Sequence, residues 1–315
     1  MGTGTPPEKW PTTWEPEPEW LSVPGGTGPS TVGVWRTELG GQPLAVKRLA
    51  RPTPGDEVEL SDRTHFAYWR READVAESGL TRSTPGVRGP VTAVEEDATG
   101  ITLTSDWVED AGTNGLFVAH ALGRFAAADL GDRPWLARDL LRRRVARIER
   151  RGGWPTLART SAADLADSLW SRREHFLQQY DALPLVAHHG DVASGNMRGR
   201  EGDLVVAIDW QSLGLGPVGT DLGLHMAGAR EAPEPLLDAY LLGMSDGDAS
   251  SVATADQVRL GARIAAAYTA VSRAEWALAR VAGGEGALAA KFRHPSVAPY
   301  LRALERVADE IESLL

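Results

Sequence analysis

Apolar positions along the chain fall into two registers. Up to about residue 104 they alternate with polar ones. Val32-Gly33-Val34-Trp35-Arg36-Thr37 and Leu44-Ala45-Val46-Lys47-Arg48-Leu49 flank the turn signal Gly40-Gly41-Gln42-Pro43, which predicts a β-hairpin. Residues 64–79 place Phe66, Trp69, Ala73 and Ala76 on one helical face. Strand-like runs follow at 89–94 and 100–104. After Asp110 the period changes to that of helices, predicted over 116–129, 134–151, 162–182, 234–244, 256–282 and 297–314. One β-rich island, residues 184–210, interrupts them with the short apolar runs Leu185-Val186-Ala187 and Leu204–Ile208. The pattern predicts an extended arm over 1–20, a small β-rich lobe over 21–104, a connector at 105–110 and a helical lobe over 111–315.

Composition narrows the classes. The 315 residues suit two lobes rather than one small core. A formal net charge of −10 argues against a general nucleic-acid binder, which needs clustered cations for phosphate contacts. There is no cysteine, so disulfides and thiolate metal sites are excluded. No apolar run approaches the roughly 20 residues that span a bilayer, and no secretory signal is visible, so a cytoplasmic protein without a membrane partner is expected. Of the 33 basic residues only Lys9, Lys47 and Lys291 are lysine. A lysine kept inside a strand-like run of an arginine-biased chain stands out.

The sharpest signal lies in the β-rich island. His189-Gly190-Asp191 is followed five residues later by Asn196, and Asp209 comes thirteen residues after that, within Ile208-Asp209-Trp210. Phosphoryl transfer explains why these residue types belong together, because it needs positioning and charge neutralisation more than covalent help. A carboxylate beside the attacking hydroxyl orients it and accepts its proton, the part read for Asp191. An amide oxygen and a second carboxylate, Asn196 and Asp209, suit Mg²⁺, a hard ion that prefers oxygen ligands. A hairpin turning at Gly199-Arg200-Glu201-Gly202 would return Asp209 to Asn196. Upstream, the Gly-rich turn Gly25-Gly26-Thr27-Gly28-Pro29-Ser30-Thr31 lets backbone N–H groups approach phosphates. Lys47 can reach them as a flexible point charge, and Glu72, bordering the inward face of its helix, is the best carboxylate to hold Lys47.

Taken in order, these motifs resemble the aminoglycoside phosphotransferase and choline kinase family, a small-molecule branch of the protein-kinase-like fold. The resemblance runs from about residue 20 to 225 and also covers Gly216-Pro217-Val218-Gly219-Thr220-Asp221-Leu222. It implies a bilobal α+β fold. It also implies Asp191 as catalytic base, Asn196 and Asp209 as Mg²⁺ ligands, and Lys47 on the phosphates of ATP or GTP with Glu72 as its partner. Gly26, Thr27, Gly28 and Ser30 would meet phosphate, Thr27 and Ser30 through their hydroxyls. Ser105, Trp107 and Val108 would meet the base, while His189 and Asp221 support the loop. Two departures stand out: Val192-Ala193-Ser194 fills the middle of the catalytic loop, and the Gly-rich turn is not a regular Gly-x-Gly-x-x-Gly.

Singly, each residue has a plainer reading: a solvated strand lysine, a surface glutamate, an Asx turn, a helix cap. Holding together in order, they point to an O-phosphotransferase of a small hydroxylated molecule. An aminoglycoside or another sugar-containing antibiotic, nucleosides included, is the first expectation, with resistance as the consequence. A metabolic kinase of a sugar, amino sugar or choline-like alcohol is the alternative, and a nucleotide-binding pseudokinase the third. Asp181, Glu231, Glu234 and Glu275 are candidates to line a cationic substrate's pocket, or else solvated helix faces. Gly243-Met244-Ser245-Asp246-Gly247 matches a hydrolase nucleophile elbow in letters but follows a helix rather than a strand, which argues against it.

Overall fold

The computed structural model describes residues 14–24, 28–154, 161–281 and 298–307. Its N-terminal part is a five-stranded antiparallel sheet in the order β1-β2-β3-β6-β5, formed by β1 (Leu21–Ser22), β2 (Thr31–Leu39), β3 (Gln42–Ala50), β5 (Thr92–Glu96) and β6 (Gly100–Asp106). The hairpin of β2 and β3 pairs Val34 with Lys47 and Leu39 with Gln42, as the alternation predicted. One sheet face packs on α1 (Arg71–Ser78), burying Leu49, Ile101, Leu103, Trp69 and Ala73. The ring of Trp35, on β2, lies 5.3 Å from that of Trp14, and Trp20 closes the cluster.

The helix expected over 64–79 is real only in its second half. Upstream, Asp62 accepts from the Thr64 amide at 2.8 Å and His65 Nδ1 from the Ala67 amide at 3.1 Å. These side chains take amides that a helix would use and hold turns instead. Val87 and Arg88 form a short strand, β4, outside the large sheet, which pairs in parallel with β9 (Leu204–Val206).

The C-terminal part is helical: α2 (Gly115–Phe125), α3 (Leu140–Arg150), α4 (Ser161–Ser171), α5 (Arg173–Asp181), α6 (Thr220–Met226), α7 (Pro233–Asp246), α8 (Ala255–Val281) and α9 (Ala298–Arg306). Two expected helices are shorter or divided. Residues 134–136 turn, with the Leu136 amide donating to Arg133 O at 3.2 Å; Ala137 then bridges to Gly214, its amide donating to Leu213 O at 2.9 Å, and Asp139 turns the chain through φ 53° into α3. The 162–182 segment breaks at Arg172. Gly243 sits inside α7 where a Cβ would collide with the His120 carbonyl of α2, so it serves helix contact rather than a nucleophile elbow. Among the described residues no helix is long and apolar enough to cross a membrane.

Between the helices lie two small sheets. β7 (Leu185–His188) pairs with β10 (Gly214–Pro217), and β4-β9-β8 joins β8 (Gly199–Glu201) to β9 (Leu204–Val206). These two sheets carry the loop at 189–196 and the turn at 209–213.

Candidate active site

Backbone pairing first brings the dispersed residues together. β8 and β9 pair Gly199 with Val206, and the Ile208 amide donates to Asn196 O at 2.9 Å. Asp209 is thereby set beside Asn196, the return that the hairpin pattern predicted. Asp209 itself adopts φ 62°, ψ 63°. Such a left-handed conformation costs a non-glycine residue of order 1–3 kcal/mol and marks positions held for geometry. Here it turns the carboxylate toward the N-terminal lobe.

Across the cleft, Lys47 Nζ donates to Glu72 Oε2 at 2.6 Å and to Asp209 Oδ1 at 2.8 Å. Burial works against charge on Lys47, but the carboxylates of Asp209 and Glu72 outweigh it and raise the lysine's pKa above its ordinary value. The two acids share one ammonium unequally. Burial raises Glu72, which Asp209 reinforces, whereas the attraction of Lys47 overcomes burial at Asp209 and lowers it.

The loop around Asp191 is held by its own backbone. Asp221, 3% exposed at the start of α6, accepts from the His189 amide at 2.7 Å and the Gly190 amide at 3.0 Å. Burial still lifts its carboxyl to about 6. His189 is fully buried against Trp210, with ring centroids 4.6 Å apart. Its Nε2 lies 3.2 Å from Ile208 O, and its Nδ1 accepts from the Asp191 amide at 3.3 Å. That pattern assigns a neutral ring protonated on Nε2; burial lowers its pKa in agreement. His189 is a loop brace in this geometry, and among the described residues no group of three His, Asp or Glu could hold a metal. Asn196 Nδ2 donates to Asp191 O and Asp191 Oδ2, both at 3.0 Å.

A hard divalent ion fits the oxygens left over. Asn196 uses its amide N–H groups on Asp191, and Asp209 uses Oδ1 on Lys47. Asn196 Oδ1 and Asp209 Oδ2 are the oxygens such an ion would take, with phosphate oxygens and water completing its shell.

Two cavities meet at Asn196 and Asp209, which line both. The first, about 400 Å³ between the lobes, is bounded by Val34, Ala45, Lys47, Glu72, Ser105, Trp107 and Val108. The second, about 520 Å³, opens before Asp191 and is also lined by Gly28 and Pro29. Ser30 is not brought to either. It is buried, and its hydroxyl has no partner among the described residues. Gly26 and Thr27 lie outside the described residues.

The acids proposed for a cationic pocket mostly lie elsewhere. Asp181 pairs with Arg142, Glu231 accepts from the Gly115 amide at 2.7 Å, and Glu234 pairs with Arg259 at 3.4 Å. Glu275 alone of the four reaches the second cavity, 3.4 Å from Arg151. The sequence reading missed the arginines there, although Arg144 and Arg147 of α3 and Arg151 at its C-cap recur at helical spacing, on a stripe about a quarter turn from Leu141, Val145 and Ile148. It also missed Arg71, fully buried, whose guanidinium donates to the carbonyls of Trp135, Gln211, Arg63 and His65 at 2.5–2.9 Å.

Comparison with known proteins agrees with the fold. The chain resembles the choline/ethanolamine kinase family protein from Mesorhizobium loti (16% identity, TM-score 0.54, covering 91% of each chain). It resembles aminoglycoside 2'-phosphotransferase-IIIa, solved as its GDP complex (12% identity, TM-score 0.59, 94% of this chain and 93% of that one). It also resembles macrolide 2'-phosphotransferase MphH from Brachybacterium faecium (16% identity, TM-score 0.53, 89% and 91%). At these identities the likeness establishes a shared fold. No curated protein matches in sequence. The profile of the phosphotransferase enzyme family matches residues 34–253, and the chain belongs to that family, whose members transfer phosphate to hydroxyl groups of small molecules.

Proposed function

We propose that this protein transfers the γ-phosphoryl group of ATP or GTP, with Mg²⁺, to a hydroxyl of a small molecule bound in the second cavity. The observation that carries the reading is the ion-pair set Lys47–Glu72–Asp209 at the wall of one cavity, with Asp191 facing the next and Asn196 and Asp209 bordering both. Lys47 meets the nucleotide phosphates and Glu72 fixes its direction. Asp191 orients the acceptor hydroxyl and takes its proton. The acceptor oxygen bonds the γ-phosphorus as the bond to the β-phosphate oxygen breaks, leaving the nucleoside diphosphate. Mg²⁺, when held by Asn196 and Asp209, neutralises phosphate charge. His189 and Asp221 keep the loop in register.

Two physiological readings share this chemistry. Inactivation of a sugar-containing antibiotic is supported by the phosphotransferase relatives, among them one solved with GDP and kanamycin. A metabolic kinase is favoured by a specific observation, the guanidinium lining of the acceptor cavity, which suits neither a polycationic aminoglycoside nor choline. Incubation with Mg²⁺, ATP or GTP and a panel of hydroxylated antibiotics, sugars and sugar derivatives tests the proposal, with a phosphate mass shift as readout. Nucleotide binding without product on any acceptor would favour the pseudokinase.

A further inference from the structure

The cavity before Asp191 sets four guanidiniums against the carboxylates of Asp191, Asp209 and Glu275, and Asp209 is already paired with Lys47. Arg144 and Arg147 of α3, Arg151 at its C-cap and Arg273 of α8 line it. Each is held in place. Arg144 donates to Gly190 O at 2.8 Å. Arg144 and Arg147 lie over the Phe66 ring, 5.6 Å and 4.9 Å from its centroid. Arg147 reaches Glu57 at 3.5 Å and Arg151 reaches Glu275 at 3.4 Å. Arg273 stands 4.0 Å from Asp191 Oδ1. Asp191 is also the nearby carboxylate that favours charge on Arg144, whose pKa burial pushes down to about 10, so that it stays protonated at neutral pH. Glu57 and Glu275 therefore answer two of the four guanidiniums. Arg144 and Arg273 are left to share Asp191, the group that must receive a proton.

Buried guanidiniums are costly unless paired. The Nε of Arg147 is buried without a partner among the described residues. Reach separates two uses for this charge. Arg144 and Arg273 lie close enough to Asp191 to meet a phosphoryl group in flight. Arg151 begins two turns farther along α3 than Arg144, about 10 Å at 1.5 Å per residue. A γ-phosphoryl group in line with Asp191 does not extend that far, so Arg147 and Arg151 face the distal part of the acceptor.

We propose that the acceptor carries an anionic group, a carboxylate or a phosphate, which Arg147 and Arg151 hold at the far end of the cavity while its hydroxyl meets Asp191. This rests on the phosphoryl-transfer reading above. Planar guanidiniums bind such oxygens in a bidentate manner, and the fork geometry selects them over chloride or a neutral hydroxyl. Transfer itself is unchanged: the hydroxyl proton goes to Asp191 and the γ-phosphoryl group to the acceptor oxygen.

A series on one scaffold tests this: glucuronate, glucose 6-phosphate, glucose and glucosamine, titrated calorimetrically into the full chain with Mg²⁺ and ADP present. Both anions should bind at least about tenfold more tightly than glucose, the scale of one charge-assisted hydrogen bond, and glucosamine least. If only one anion binds, it names the group. Equal affinities, tighter binding of glucosamine, or no binding of either anion at millimolar concentration would overturn the proposal. Arg147→Gln and Arg151→Gln should each weaken the anions about tenfold or more while leaving glucose unaffected. Glu275→Gln, which removes the competing carboxylate, should tighten them. If neither arginine change moves anion affinity in variants with wild-type circular dichroism, the anion is held elsewhere and the assignment fails. Nucleotide binding is read separately. Anion preference without ADP binding would refute the kinase reading and leave the anion site standing, whereas ADP binding without anion preference would do the reverse.

Discussion

Gly190 adopts φ +81°, and a Cβ there would come within 2.5 Å of Ser212 O, so the residue between His189 and Asp191 is bound to be small. It lets the His189 and Gly190 amides converge on Asp221 while Asp191 turns into the acceptor cavity. Asp191→Ala removes the proposed proton acceptor but none of the proposed nucleotide contacts. Turnover should fall by about 10²–10⁴, the range for a positioned general base, while the nucleotide Kd stays near that of wild type. Unchanged turnover would exclude Asp191 from the chemistry. Asp221 carries a different expectation. Burial raises its carboxyl from 3.8 to about 6, so within that window the folded chain holds a proton that the unfolded chain has released. Stability from this group is greatest in acid and declines as pH rises through the window, by about 3 kcal/mol in all. Asp221→Asn abolishes that slope. Denaturant unfolding of both proteins at several pH values between 4 and 6 should show the wild type losing stability relative to the variant as pH rises. A difference independent of pH would mean that the two amide hydrogen bonds fully offset burial at Asp221 and its carboxyl is not raised.

At the scale of elements, α1 connects the lobes through neighbouring residues: Glu72 holds Lys47, and Arg71 ties the same helix to Trp135 and to Gln211, two residues past Asp209. The guanidinium serves four carbonyls, of which His65 O also accepts from the Tyr68 amide at 2.9 Å. Arg71→Leu takes the guanidinium from the other three, and at about 1–3 kcal/mol for each lost partner the protein should lose several kcal/mol of stability. The denaturant midpoint should fall markedly, with Arg71→Lys giving little rescue because an ammonium has three donors and no planar fork. A midpoint within experimental error of wild type would show that water replaces the guanidinium. Arg71 also marks where sequence reading stopped. Lys47, Asn196 and Asp209 were legible because strand alternation and a hairpin's return fix their positions, and Glu72 because it borders the inward face of its helix. A buried arginine serving backbone carbonyls has no letter pattern, since its partners are main-chain atoms of four separate segments. The same limit explains the shortened helices. Nothing in the periodicity of 134–151 says that Ala137 joins Gly214 as a β-bridge, and the turns at 62–70 depend on side-chain bonds that compete with an otherwise acceptable helix. The arginine stripe on α3 was visible as spacing, but a charged helix face usually means solvent, and only its place opposite Asp191 gives it another meaning.

For the whole molecule, Lys47 and Asp209 stand 162 residues apart in sequence, and their contact crosses between the lobes. Nucleotide bound between the lobes should therefore act on the stability of the entire chain, because a ligand that binds only the folded state stabilises it by about 2.7 kcal/mol at a hundredfold excess over Kd. Mg²⁺ adds to this only if the protein supplies its ligands. Asp209→Ala removes one of the two proposed oxygens, yet Lys47 keeps Glu72 and can still meet the phosphates. Removing a carboxylate beside the phosphates also relieves repulsion. The thermal shift caused by ATP in a chelator should thus persist or grow in Asp209→Ala, while the further increment from Mg²⁺ disappears. Lys47→Ala should instead weaken the nucleotide with or without Mg²⁺, because it deletes the cation itself. The two variants separate metal from phosphate recognition within one measurement. If Asp209→Ala retained the wild-type Mg²⁺ increment, the ion would be held by other groups, and Asp209 would be left with orienting Lys47 as its only part in the site.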